Sequence, residues 1–171
     1  MNKSIRVMLA ALLCLGMVAC AKKVREEPAP VSEPSPPADI SPAPDVAGAF
    51  TEEDLDTDSC LRQRVVYFDY DQADIRSEFQ AIMACHAKYL TDRPSSAVTL
   101  EGHADERGSR EYNLGLGERR GNAVSSALQA NGGSAGQITG VSYGEERPTC
   151  NDSSEDCWAK NRRVEIVYTA K

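Results

Sequence analysis

AVTLEGHADERGSREYNLGLGERRGNAVSSALQAN, residues 97–131, changes period midway. From Ala97 to Gly102 the apolar residues alternate, with Val98 and Leu100 on one face, which predicts a strand. A polar loop containing Gly108 follows, then a helix from about Glu111 to Asn131, which Asn131-Gly132-Gly133 terminates. At about 100° per residue, Leu116, Arg120, Ala123, Val124 and Ala127 share one helix face. Arg119 points elsewhere. A guanidinium inside an apolar stripe must be paired or must border a pocket, because an uncompensated buried charge is very unfavourable. The expected partner is an acid from the preceding loop, Asp105 or Glu106. Two readings stay open from the residues alone: a structural Arg–Asp bridge tying loop to helix, or an anion site.

Outward from this stretch, Arg64 to Asp69 reads as a strand. Asp74 is the expected N-cap of a helix carrying Ile75, Phe79, Ile82, Met83, His86 and Leu90 at helical spacing. Ile138 to Tyr143 is a third strand. Arg162 to Tyr168 is a fourth, with Val164, Ile166 and Tyr168 alternating. Ser154–Asn161 reads as a short helical turn. The order β-α-β-α-β-(α)-β predicts an α+β fold, a two-layer sandwich of helices on a sheet.

Upstream the composition shifts twice. Residues 1–20 carry Lys3 and Arg6 before an apolar run from Val7 to Val18, the pattern of a signal peptide. The run ends Met17-Val18-Ala19-Cys20, which resembles the bacterial lipobox, with Met17 in place of the usual leucine. This implies removal of residues 1–19 and lipidation of Cys20. Several acyl chains anchor a protein stably where one does not. Ala21, rather than Asp, after that cysteine implies sorting to the outer membrane. Residues 21–58 hold three basic and ten acidic residues, and seven of the nine prolines fall in residues 28–44. Such a segment buries too little apolar surface to offset its chain entropy. We therefore expect a disordered, lipidated linker over 20–58 and a domain over 59–171.

Of the 171 residues, 41% are hydrophobic and 26% charged, which suits one modest domain and excludes a large multidomain enzyme. A net charge of -7 argues against nucleic acid as a partner. Only His86 and His103 are present, and no H-E-x-x-H motif occurs, so we expect no catalysis, no cofactor and no metal. His86 is expected as a packed core histidine. His103 is expected to fix its loop by hydrogen bonds. After Cys20, the chain keeps Cys60, Cys85, Cys150 and Cys157. An even number in an exported chain points to disulfides. Of the three pairings, the reading favours Cys60–Cys85 and Cys150–Cys157. A zinc or redox site is the alternative, weakened by the lack of a C-x₂₋₄-C pair.

Five ordered motifs carry a resemblance over residues 64–169. They are Val66-Tyr67-Phe68-Asp69-Tyr70-Asp71, Glu101 to Gly108, Tyr112 to Arg120, Val141 to Pro148, and Lys160-Asn161-Arg162-Arg163-Val164. Together they resemble the OmpA-like peptidoglycan-binding domain, most of all in the peptidoglycan-associated lipoproteins of the Tol–Pal system. The resemblance implies a mixed four-stranded sheet and no enzymatic activity. It implies that the domain binds the diaminopimelate of the peptidoglycan stem peptide, through Asp105 and Arg120 as the key pair. Arg120 suits the carboxylate, and Asp105 the ammonium. Tyr70 and Asp71 match the other side of the family's pocket, where backbone amides receive stem carboxylates, and Leu116 an apolar wall. Gly117 stands where the family often has serine. The implied role is a tether from outer membrane to cell wall in cell division. The implied protein partner is the periplasmic β-propeller protein of the Tol system. The alternative is a protein-interaction hub with secondary glycan binding.

Overall fold

The computed structural model describes residues 48–171. The signal peptide, Cys20 and the linker up to residue 47 lie outside them. Eight elements follow in chain order: α1 (Asp54–Thr57), β1 (Val65–Tyr67), α2 (Gln80–Asp92), β2 (Ala97–His103), α3 (Arg110–Ala130), β3 (Ile138–Gly144), α4 (Glu155–Asn161) and β4 (Arg163–Ala170). The strands form one mixed sheet in the order β1-β4-β2-β3, with β2 parallel to β3 and β4 antiparallel to β1 and β2. This is the α+β sandwich expected. Among the described residues no helix is long and apolar enough to cross a membrane.

The alternation and the helical stripes meet in one core. Val66, Val98, Leu100, Val164 and Ile166 from the strands pack against Ile82, Met83, Ala87 and Leu90 of α2 and against Val124 and Leu128 of α3. Helix α2 begins later than expected. Ser77–Phe79 form a 3₁₀ turn after the extended Arg76, and the α-helix starts at Gln80, so Asp74 caps nothing. The Ser109 hydroxyl caps α3, accepting the Tyr112 N–H at 3.2 Å.

A glycine contact sets the height of α3 over the sheet. A Cβ on Gly102 would lie 2.0 Å from the Gly117 carbonyl oxygen, and one on Gly117 would lie 2.4 Å from Ser142 Oγ. Backbone touches backbone there, so serine at 117 has no room. This approach carries Arg120, one turn on, over the end of β2.

A second cluster joins Phe50, Leu55, Leu61 and Tyr89, with Cys85 and Tyr168 beside it. The packed structure therefore begins ahead of residue 59, inside the segment that composition assigns to the linker. Two apolar residues, Phe50 and Leu55, suffice because Tyr89 and Leu61 form a ready surface for them. The Phe50 N–H also donates to Asp92 at 2.8 Å. Disulfides join Cys60 to Cys85 and Cys150 to Cys157, the pairing favoured from the sequence. Asp58 lies beside Cys60 and Cys85. Both sulfurs are bonded to each other, so no thiolate remains there for a metal.

Candidate functional site

Loops at the ends of β1 and β2 and the first turns of α3 enclose a cavity of about 260 Å³, lined by Tyr70, Asp71, Asp105, Arg107, Gly108, Tyr112, Asn113, Leu116 and Arg120. All five residues singled out from the sequence are among them: Tyr70, Asp71, Asp105, Leu116 and Arg120.

Arg120 is fully buried while Arg119, one residue earlier, is exposed. Arg120 thus faces inward as its place in the apolar stripe predicts, but its partners are not the expected acid. Among the described residues no carboxylate pairs with Arg120. Its Nε donates to the Gln72 carbonyl at 2.8 Å, Nη1 to His103 at 2.7 Å and Nη2 to Asp69 at 3.1 Å. A fully desolvated cation is thus held by neutral carbonyls. Burial pushes its pKa down to about 10, against the opposing charge of Asp105. A guanidinium has five N–H groups. Three are used, and one remains on each terminal nitrogen, a donor for an anionic acceptor.

Asp105 also differs from expectation. It sits in the polar loop after β2, yet it is only 4% exposed. Its Oδ1 accepts from the Arg107 backbone N–H and Nε, both at 3.1 Å. Its Oδ2 accepts from Arg107 Nη2 at 2.7 Å and Arg162 Nη1 at 3.2 Å. Four donors saturate a carboxylate. Burial raises its pKa, but the bonds from Arg107 and Arg162 outweigh burial and hold it below the ordinary carboxylate range.

Asp71 is the open acid of the cavity. It is exposed, and its carboxylate accepts a short bond from the Tyr112 hydroxyl. Its backbone is left-handed at φ 57°, a conformation that aspartate tolerates better than most residues and that marks functional turns. The Tyr112–Asp71 bond links α3 to the loop after β1. Tyr70 and Tyr112 are 56% and 45% exposed, among the largest exposed aromatic surfaces. Leu116 supplies the apolar wall.

His103 does not fix its loop through its ring. It is buried with both ring nitrogens unpartnered, its ring 5.5 Å from that of Tyr143. Burial, then the charge of Arg163, push its pKa down to about 4. It serves through its carbonyl, which anchors Arg120. His86 is the packed core histidine expected: Nδ1 meets the Tyr168 hydroxyl at 2.8 Å and Nε2 the Gln63 carbonyl at 3.0 Å.

The sequence reading missed Arg107, Tyr112 and Asn113 as cavity walls, and Arg162 as the second partner of Asp105. Arg162 stands just before β4 and donates to the Phe68 carbonyl, Asp105 and Glu155. The signal for it was a second arginine beside Arg163 at the start of a strand whose Val164, Ile166 and Tyr168 alternate.

Comparison with known proteins follows the same lines. The OmpA family profile matches residues 67–162. The chain is 35% identical to the peptidoglycan-associated lipoprotein of Pasteurella multocida over 98% of this chain and 100% of that one. It is 49% identical to the protein of that name in Pseudomonas putida, over 58% of this chain and 60% of that one. The crystal structure of the peptidoglycan-associated lipoprotein from Burkholderia pseudomallei superposes with a TM-score of 0.66 at 40% identity, covering 68% of this chain and 98% of that one. The C-terminal domain of Helicobacter pylori MotB shares the fold, with a TM-score of 0.57 at 21% identity.

Proposed function

The chain belongs to the OmpA family, alongside its peptidoglycan-associated lipoproteins, and on that premise we propose that it binds peptidoglycan without catalysis, tethering the outer membrane to the cell wall in the Tol–Pal system. One observation carries the assignment: Arg120, buried at the cavity with only carbonyl partners and two N–H groups to spare. A stem-peptide carboxylate supplies the missing counter-charge. Diaminopimelate places an ammonium beside that carboxylate. Asp71 takes it when the ligand displaces the Tyr112 hydroxyl, which also opens the way to Arg120. Asp105, already saturated, contributes its field and holds Arg107. Tyr70 and Leu116 close around the apolar stem of the side chain.

Cys20 carries the acyl chains that anchor the protein in the outer membrane, with the domain facing the periplasm. The exposed Tyr70 and Tyr112 at the cavity mouth suit a protein partner as well. The periplasmic β-propeller protein of the Tol system docks there, in competition with peptidoglycan. Co-sedimentation of the full chain with purified peptidoglycan sacculi tests the assignment. Retention in the pellet, reversed by soluble diaminopimelate-containing muropeptide, is expected. A chain that stays in the supernatant overturns the reading.

A further inference from the structure

Trp158 is the only tryptophan in the chain. It lies on α4, immediately after the ring closed by Cys150 and Cys157, and does not line the Arg120 cavity. It nevertheless touches both residues that follow Asp105 in the loop. Its indole N–H donates to Glu106 Oε1 at 3.0 Å. Its ring lies 4.2 Å from the Arg107 guanidinium carbon, and the Tyr70 ring lies 4.0 Å from that same carbon. Arg107 therefore bears on one aromatic ring inside the cavity and one outside it.

The ring between the cysteines adds to this hold. Ser153 Oγ donates to Glu106 at 2.7 Å. Glu155 pairs with Arg107 at 3.4 Å and with Arg162 at 2.7 Å, the two cations that saturate Asp105. Cation–aromatic contact of this kind is strongest when desolvated, and Arg107 is about three-quarters covered, its side chain 28% exposed. The Asp105–Arg107 pair alone fixes one edge of the guanidinium. It does not fix the plane on which Tyr70 rests.

We infer that Trp158 is a positioning residue of the peptidoglycan site, setting the plane of Arg107 and through it the Tyr70 wall. The inference rests on the function proposed above. A ligand that seats against Tyr70 perturbs Trp158 through Arg107, though it never touches the indole.

The test uses the full chain and a soluble disaccharide–tripeptide muropeptide whose third residue is diaminopimelate. Calorimetry gives affinity, and Trp158 emission is followed in the same titration. The emission is expected to change with a midpoint equal to the calorimetric Kd. Trp158→Ala is expected to weaken binding about tenfold, and Trp158→Phe, which keeps a ring for Arg107, to restore it to within about threefold. If the unaltered chain binds no muropeptide, the site assignment itself fails. If it binds but the emission is silent, or if Trp158→Ala binds as the unaltered chain does, the positioning role is overturned. Should Trp158→Ala not fold, the emission and the Phe variant still decide: silence, or a Phe variant as weak as about tenfold, sinks the inference.

Discussion

The two disulfides close neighbourhoods of opposite character. Cys60–Cys85 joins the segment after α1 to α2 beside an apolar cluster of Phe50, Leu55, Leu61 and Tyr89. Cys150–Cys157 closes a polar ring in which residues 151–156 are all exposed. The first neighbourhood holds itself together by burial. The second has little to bury, and its Ser153 and Glu155 reach Glu106, Arg107 and Arg162 instead. Stability and site geometry are thereby assigned to different ends of the chain, and each can be disturbed while the other is read.

The largest expected effect is at the site. Arg120→Ala removes the unpaired cation, and losing a charge-assisted contact weakens binding by about 30-fold or more. The carbonyls of Asp69, Gln72 and His103 lose their donor too, so circular dichroism must first show a folded variant. Arg120→Lys keeps the charge but cannot serve three carbonyls and a carboxylate at once, so intermediate binding is expected. Normal muropeptide binding by Arg120→Ala makes the arginine a brace between loops and removes the functional half of the comparison.

The disulfides test the comparison directly. By loop entropy, Cys60→Ser/Cys85→Ser loses roughly 3.5 kcal/mol of stability and Cys150→Ser/Cys157→Ser roughly 2.5 kcal/mol. Binding separates them. The first pair should leave muropeptide affinity within about twofold, and the second should weaken it about threefold or more through Arg107 and Trp158. Urea midpoints and calorimetry on both variants check this. Equal loss of affinity in the two would show that the ends are not independent.

What the sequence showed of each end follows from where the information lies. Periodicity is local, so the four strands, the two long helices and the misfit Arg120 were legible. The partners of Arg120 were not, because they are backbone carbonyls from two other segments, and carbonyls leave no mark on residue identity. Asp105 was readable as a site acid, but its burial depends on Arg162, 57 residues away. Phe50 and Leu55 were hidden for a related reason: two apolar residues in an acidic, proline-rich context acquire meaning only beside Tyr89. Gly117 looked like a neutral variant until Gly102 and Ser142 appeared against it.

Acid separates the ends by their histidines. Burial lowers the pKa of His86 to about 4. The unfolded chain protonates its histidines near their ordinary value of 6.5, so between pH 6.5 and 4 it binds more protons than the folded one. The histidine contribution to stability must fall as pH drops through that window and level off below it. His86 contributes on the order of 3 kcal/mol of that fall. His103 adds a further part. Asp92 and Asp105, held below their ordinary carboxylate range, lose their contributions only at lower pH. Substitution tells the two histidines apart. His103→Phe replaces a ring with no hydrogen bonds, so it should hold stability at neutral pH and flatten part of the acid slope. His86→Phe strands the Gln63 carbonyl and the Tyr168 hydroxyl, and should lose about 2 kcal/mol or more at pH 7. Thermal melts from pH 4 to 8 read both, and equal melting points at pH 7 would contradict the assignment.

The smallest effect is also the most discriminating. Arg119 and Arg120 are adjacent and identical in chemistry, and differ only in the helix face they occupy. Arg119 is exposed, its guanidinium 5.5 Å from the Tyr112 ring. It carries no hydrogen bond to the loops that enclose the cavity, and an exposed cation of this kind is screened by solvent and salt. Arg119→Ala should therefore change muropeptide affinity by less than about twofold, with any residual loss fading as salt is raised, because only its long-range field acts on the ligand. Arg120 acts by contact in a desolvated cavity, so the loss in Arg120→Ala should persist at high salt. Calorimetry on both variants at low and high salt compares contact with field at a single step along the helix. If the two variants lose binding equally, or lose it with the same salt dependence, helix face does not decide function here. The stripe that first marked Arg120 would then be a packing feature and nothing more.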